Sequence, residues 1–310
     1  MSTSDAAAAQ LALPTTRAAA LGALAVVQLL FGAMPVLGKL ALPAFGAGGV
    51  VIVRIGGAAL AFTLARLYLR IPNVTRADLP RLIGCAVLGV VSNQLLFMNG
   101  LARTSAAHAA LLTTTIPAIT LLISIAIGIE RATAKRIFGI LVAGAGAALL
   151  ILSRETLAAG QVAPTEAEIY TSRIGDALIL CNSTVYSFYL VLSRPLLARH
   201  HPVSVLSGLF GVGVVLALPF TGLPLAALHD PSVSVWSWVA LMCIVLGPTI
   251  GAYSLNLVAL RVVPPSTVAL WIYAQPVVAA ALAVPLLGEQ ITLTMVFCGA
   301  LTFLGMWLSG

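Results

Sequence analysis

The chain has 310 residues, of which 60% are hydrophobic and only 8% charged, and its mean hydropathy is +1.08. A soluble domain carries about 25% charged residues, so this chain lacks the polar side chains to clothe a water-soluble globule. The net charge of +7 needs no nucleic-acid partner, which would want a basic face with interleaved aromatics on a soluble domain.

The bilayer is therefore the main solvent, and helices are the structure in which each spanning segment satisfies its own backbone. Residues 1–17 form a short tail. Residues 1–16 contain no basic residue and Asp5 is acidic, so a cleavable signal peptide is not expected and the first apolar stretch should remain. Stretches without Asp, Glu, Lys or Arg run over 18–38, 82–102, 104–129, 137–153, 177–193, 202–228, 231–260, 262–288 and 290–310. A tenth, about 48–68, is broken only by Arg54. About 20 apolar residues cross the hydrocarbon, so the sequence predicts ten transmembrane helices.

Basic residues set an orientation, because short loops rich in Lys and Arg stay in the cytoplasm. With the N-terminus inside, eleven fall on cytoplasmic segments (Arg17, Arg66, Arg70, Arg76, Arg81, Arg131, Lys135, Arg136, Arg194, Arg199, Arg261). Four fall outside (Lys39, Arg103, Arg154, Arg173). Both termini are expected in the cytoplasm, with the protein multi-pass in a bacterial inner membrane.

A shift of 159 residues lays Leu101, Ala110, Leu111, Pro117, Glu130, Thr133 and Phe138 on Leu260, Ala269, Leu270, Pro276, Glu289, Thr292 and Phe297. The matched Pro and Glu carry weight, since charged residues are rare here. Two five-helix units of odd helix number must enter the membrane from opposite sides, which makes them inverted repeats around a central cavity. The units are 18–153 and 173–310, joined by a polar linker, 154–172, with Glu155, Gly160, Pro164, Glu166 and Glu168.

The segment Gly247 to Gly310, with Ala252-Tyr253-Ser254-Leu255, Pro276, Leu287-Gly288-Glu289 and the small residues of Gly299 to Gly305, resembles the C-terminal half of an EamA-type member of the drug/metabolite transporter superfamily. The first half departs at Gly128-Ile129-Glu130, where the Gly-Glu pair is interrupted. Within that superfamily the chain is most similar to YddG-type exporters of amino acids. The resemblance implies a ten-helix basket with a central cavity, exporting aromatic and neutral amino acids by alternating access.

Prolines in matched spans point to a site. Pro117 and Pro276 cannot donate to the carbonyls of Thr113 and Ile272, which then face a cavity or are satisfied by a hydroxyl such as Thr113 or Thr114. Nearby polar and aromatic residues are the candidates for substrate binding: His108 and Thr113, then Trp271, Tyr273 and Gln275. Trp271 and Gln275 are four apart and share a face of an α-helix. Gln94, Asn182, Tyr186, Tyr253 and Asn256 complete the set, with helix-to-helix bridging as the competing role. Arg54, about 9 Å into its span at 1.5 Å per residue, should snorkel, pair with an acid or meet substrate. Gly247 and Gly251 fit close helix packing.

Cys85, Cys181, Cys243 and Cys298 show no metal-like spacing, and no metal or cofactor is expected. No hydrolase, metalloprotease or phosphate-loop motif is present, so an enzyme is not expected. With no acid in the middle of a span, facilitated diffusion leads over proton exchange through His108 or Asp176. No ATPase partner is expected, and the partners are the small-molecule substrate and membrane lipid.

Overall fold

A computed structural model describes residues 17–128, 131, 133–152, 166–224, 227, 230–263, 268 and 271–309. Among them the structure is all-helical. In chain order the helices are α1 (Arg17–Tyr68), α2 (Arg76–Leu101), α3 (Ala106–Ala126), α4 (Ala134–Leu152), α5 (Glu166–Arg199), α6 (Pro202–Phe220), α7 (Val235–Leu260), α8 (Trp271–Leu287) and α9 (Leu293–Ser309). Six of these (α1, α2, α3, α5, α6 and α7) are long and apolar enough to cross a membrane, and α8 and α9 are shorter apolar helices.

Helix α1 would be about 78 Å long if continuous, at 1.5 Å per residue over its 52 residues. Gly46 breaks it: at φ 63° and ψ 169° the backbone occupies a region that only glycine enters without strain. Two limbs result, 17–45 and 47–68. Both contribute buried residues to the bundle, and α1 packs against α2, α6, α7 and α8. Helix α5 covers another flank, against α2 and α3.

Helices α4 and α9 pair through small residues. A Cβ on Gly305 would sit 2.3 Å from the Ala143 nitrogen, and one on Gly146 would lie 2.9 Å from the Cys298 carbonyl oxygen. Contact this close is the usual basis of helix association in lipid, where apolar burial gives no net drive. Gly247 and Gly251 likewise make room for Leu30, whose side chain would lie 3.2 and 3.3 Å from a Cβ at either position. Cys85 and Cys298 are buried and all four cysteines are free.

Two regions depart from regular α-helix in matched places. A π-helical turn occupies Val87–Ser92 in α2 and another Val245–Gly251 in α7. Helix α3 breaks at Thr114 and Thr115 before restarting at Ile116 with Pro117 in its first turn, while α8 opens with a 3₁₀ turn, Trp271–Ala274, before Gln275 and Pro276. Pro117 and Pro276 thus sit where a missing N–H costs least. The hydroxyls of Thr113, Thr114 and Thr115 donate to the carbonyls of Ala110, Leu111 and Leu112 at 2.7, 2.6 and 2.7 Å, so side chains satisfy acceptors around the break.

Part of the segment expected to be the linker is helical. Residues 166–172 are the first described turns of α5, where Ala167 and Glu168 are good helix formers. The remainder of 154–172, the tail 1–16, and Glu130, Ala269 and Leu270 of the repeat alignment lie outside the described residues.

Candidate functional site

The π turns bring polar side chains inward. In α7, the Thr249 hydroxyl donates to the carbonyl of Ile244, five residues back, at 2.8 Å. Its remaining lone-pair capacity accepts from Arg54 Nε on α1 at 3.0 Å. The Tyr253 hydroxyl, just beyond that turn, donates to the carbonyl of Gly89 inside the matching π turn of α2 at 3.0 Å. Widened turns with an extra residue per cycle recur at functional sites.

A cavity lies where these elements meet. Gln28, Phe31, Met34, Pro35 and Arg54 come from α1, Asn93 and Phe97 from α2, and Thr113 and Ile116 from α3. Asn182 and Tyr186 come from α5, Tyr253 and Asn256 from α7, and Ile272 and Gln275 from α8. The space open to the centres of water molecules is 80 Å³, and about 10–15 Å³ suffices for one water. The walls are mostly apolar with a few convergent polar groups, the usual build of a small-molecule site.

Those polar groups are pre-set by hydrogen bonds. Gln275 Nε2 donates to Gln28 Oε1 at 2.7 Å, and Gln275 Oε1 lies 3.4 Å from the Thr113 hydroxyl across from α3. Asn182 Nδ2 donates to the carbonyl of Asn93 at 2.7 Å. Asn256 Nδ2 donates to the Tyr186 hydroxyl at 3.1 Å, and Asn256 Oδ1 accepts no hydrogen bond among the described residues.

Six of the sequence-predicted substrate residues line this cavity: Thr113, Asn182, Tyr186, Tyr253, Asn256 and Gln275. Thr113 and Ile272, each four residues before one of the two prolines, are both in the lining, and Pro117 and Pro276 are not. Trp271, Tyr273, His108 and Gln94 do not line it. Trp271 falls in the 3₁₀ turn, where four steps rotate a side chain about 120° away from Gln275 rather than the about 40° of an α-helix; it packs against the apolar core. The Tyr273 ring packs instead on Phe303 of α9 with centroids 4.8 Å apart, and its hydroxyl is buried there. Gln94 is fully buried near the Tyr253 hydroxyl, and neither amide atom reaches ordinary hydrogen-bond geometry among the described residues. Sequence reasoning missed Gln28, Phe31, Met34 and Pro35. A glutamine seven residues before a proline in an otherwise apolar span was the available signal.

His108 belongs to a second cluster at one end of the bundle. Its Nδ1 lies 3.1 Å from Asp176 Oδ2, and Thr104 donates to Asp176 Oδ1. Beside it, the Glu289 carboxylate accepts from the backbone N–H groups of Ala106 and Ala107 at 2.7 and 2.9 Å. The Ser105 hydroxyl accepts from His108 N at 3.1 Å, so most of the orphan donors at this helix start are satisfied. At the other end, Asp78 accepts from Arg199 at 3.1 Å, meets His200 at 2.8 Å, and accepts from Thr75 at 3.2 Å.

The description "EamA-like transporter family" matches this chain twice, over residues 18–152 and 173–310. The chain belongs to that family. The EamA-like proteins are membrane transporters of the drug/metabolite type, and the double match covers all nine helices apart from the ends of α1 and α5. A solved structure described only as "Crystal structure of protein" is similar, with a TM-score of 0.65 and 19% identity over 95% of this chain and 96% of that one. At that identity the likeness concerns the fold. A comparison with curated proteins found no match.

Proposed function

We propose that this EamA-like transporter exports aromatic and neutral amino acids from the cytoplasm across a bacterial inner membrane, by alternating access and down their concentration gradient. In this reading ten segments span the bilayer: the two limbs of α1 and the helices α2 to α9, five in each repeat. Both termini face the cytoplasm, and the repeats are inverted. The observation that supports it is the cavity between the halves, where amides, hydroxyls and aromatic rings converge around Arg54. An amphipathic molecule with a polar head and an apolar body fits such walls.

Efflux of labelled phenylalanine, leucine and alanine from proteoliposomes tests this. Saturable efflux that unlabelled amino acids compete is expected without any imposed gradient of protons. Efflux no faster than from empty liposomes for all three would overturn the reading. The buried His108–Asp176 pair favours proton exchange as the second reading. It predicts that collapsing a pH gradient slows transport at least several-fold, whereas facilitated diffusion leaves the rate unchanged.

A further inference from the structure

Arg54 is 4% exposed and lines the cavity. Its Nε donates to Thr249, and that is its one hydrogen bond among the described residues; no carboxylate lies within 4 Å of it there. Neither terminal nitrogen is among the buried polar atoms sealed from all accessible space. A guanidinium offers five donors in a planar fork that matches a carboxylate through two parallel bonds. With Nε held by Thr249, the two terminal nitrogens keep that fork. A buried, uncompensated cation is costly, and among the described lining residues the remaining polar groups are neutral amides and hydroxyls.

We infer that Arg54 binds the carboxylate of the cargo, and that the site takes monocarboxylates whose opposite end is uncharged at least as readily as zwitterionic amino acids. Charge balance carries the second half. One arginine and one carboxylate neutralise each other, whereas an ammonium entering with the cargo would meet acceptors such as Asn256 Oδ1 but no described acid in the lining. The amino group is therefore tolerated, not required. The inference rests on the transport reading above only in taking the cavity as the cargo site.

Three probes of one shape separate the possibilities: 3-phenylpropanoate, its neutral amide 3-phenylpropanamide, and phenylalanine. Binding to the detergent-solubilised full chain is measured by thermal shift and by displacement among the probes, and flux by competition in proteoliposomes. In the unmodified protein the acid is expected to bind at least tenfold more tightly than the amide, and no more weakly than phenylalanine. Arg54→Gln should bring acid and amide within threefold of each other, and Arg54→Lys, which keeps the charge without the fork, should retain part of the preference. Should Arg54→Gln fail to fold, Thr249→Val serves instead: it frees Nε from its anchor and should cut the acid-to-amide ratio several-fold. Equal binding of acid and amide, binding of none of the three probes, or an undiminished ratio in Arg54→Gln overturns the inference. Acid-selective binding without flux removes the export reading and leaves the role of Arg54 standing. Amino-acid flux with a flat acid-to-amide ratio does the reverse.

Discussion

Tyr253 shows how much one hydroxyl can hold together. Its ring packs edge-on against Phe31 and Phe210, with centroids at 6.0 and 5.2 Å, and its O–H reaches the Gly89 carbonyl inside the π turn of α2. That carbonyl is buried, so removing its donor leaves an unmade bond that costs about 1–3 kcal/mol. Tyr253→Phe keeps the ring packing and loses the bond. We expect a lower unfolding temperature in detergent, with a weakened grip on all cargo alike because Asn93 and Arg54 share this wall. An unchanged melting temperature would show that the π turn does not depend on this hydroxyl. The sequence put Tyr253 at the site because it is polar at membrane depth, and the same rule drew in His108 and Gln94. Neither lines the cavity described above: His108 is taken up by Asp176 of α5, while Gln94 is buried with neither amide atom hydrogen-bonded among the described residues. Polarity at membrane depth does not by itself mark the lining.

At the scale of elements, the repeat was legible in Pro117 and Pro276, and the structure extends it to backbone form. Both third-span helices of the proposed repeats carry a π turn, at 87–92 and 245–251, and both fourth spans break just before their proline. What the sequence could not show was the twist of the broken segment. Reading 271–275 as α-helix put Trp271 beside Gln275; the 3₁₀ turn separates them. Trp271→Ala is therefore expected to lower stability by about 1–3 kcal/mol while leaving the ratio of aromatic to aliphatic transport unchanged. Gln275→Leu should raise the KM of both classes several-fold. A selective loss of aromatic cargo in Trp271→Ala would place that ring back in the cavity.

The α4–α9 pair makes a separate element-scale prediction. A Cβ at Gly305 meets backbone atoms of Ala143 and Gly139 at 2.3 and 2.6 Å, which no side-chain rotation can relieve, whereas Gly144 on the same helix pair has nothing within 4 Å. Gly305→Ala should force the helices apart and cut the yield of folded protein after detergent extraction, as judged by size-exclusion profile. Gly144→Ala should leave that profile unchanged. Equal behaviour of the two variants would mean that α4 and α9 do not approach as closely as their glycines allow.

Across the whole molecule, two hydrogen bonds at one end of the bundle join its two family-matched halves. Glu289 belongs to the second and the Ala106 and Ala107 amides to the first. The carboxylate lies at a helix N-terminus, where a negative charge is favoured, and two charge-assisted bonds join there. In the proposed orientation this is the periplasmic end, so opening outward requires that Glu289 leave the amides. Glu289→Gln keeps one acceptor and turns an NH₂ toward the second amide, replacing attraction by a clash of donors. A bond to a charged group contributes about 1.5–3 kcal/mol, and about 1.4 kcal/mol is tenfold in an equilibrium. The open form should then gain roughly ten- to a hundredfold in population. The readout is a cysteine at Ile116 in the cavity wall, in a chain whose four native cysteines are replaced by alanine, labelled by an impermeant thiol reagent from the Glu289 side. Glu289→Gln is expected to speed labelling at least tenfold, while Asp78→Asn at the opposite end should not. If Glu289→Gln labels at the parent rate, the carboxylate fastens the helix start without holding the passage shut, and the closure must be sought in the Thr104–Asp176–His108 cluster beside it.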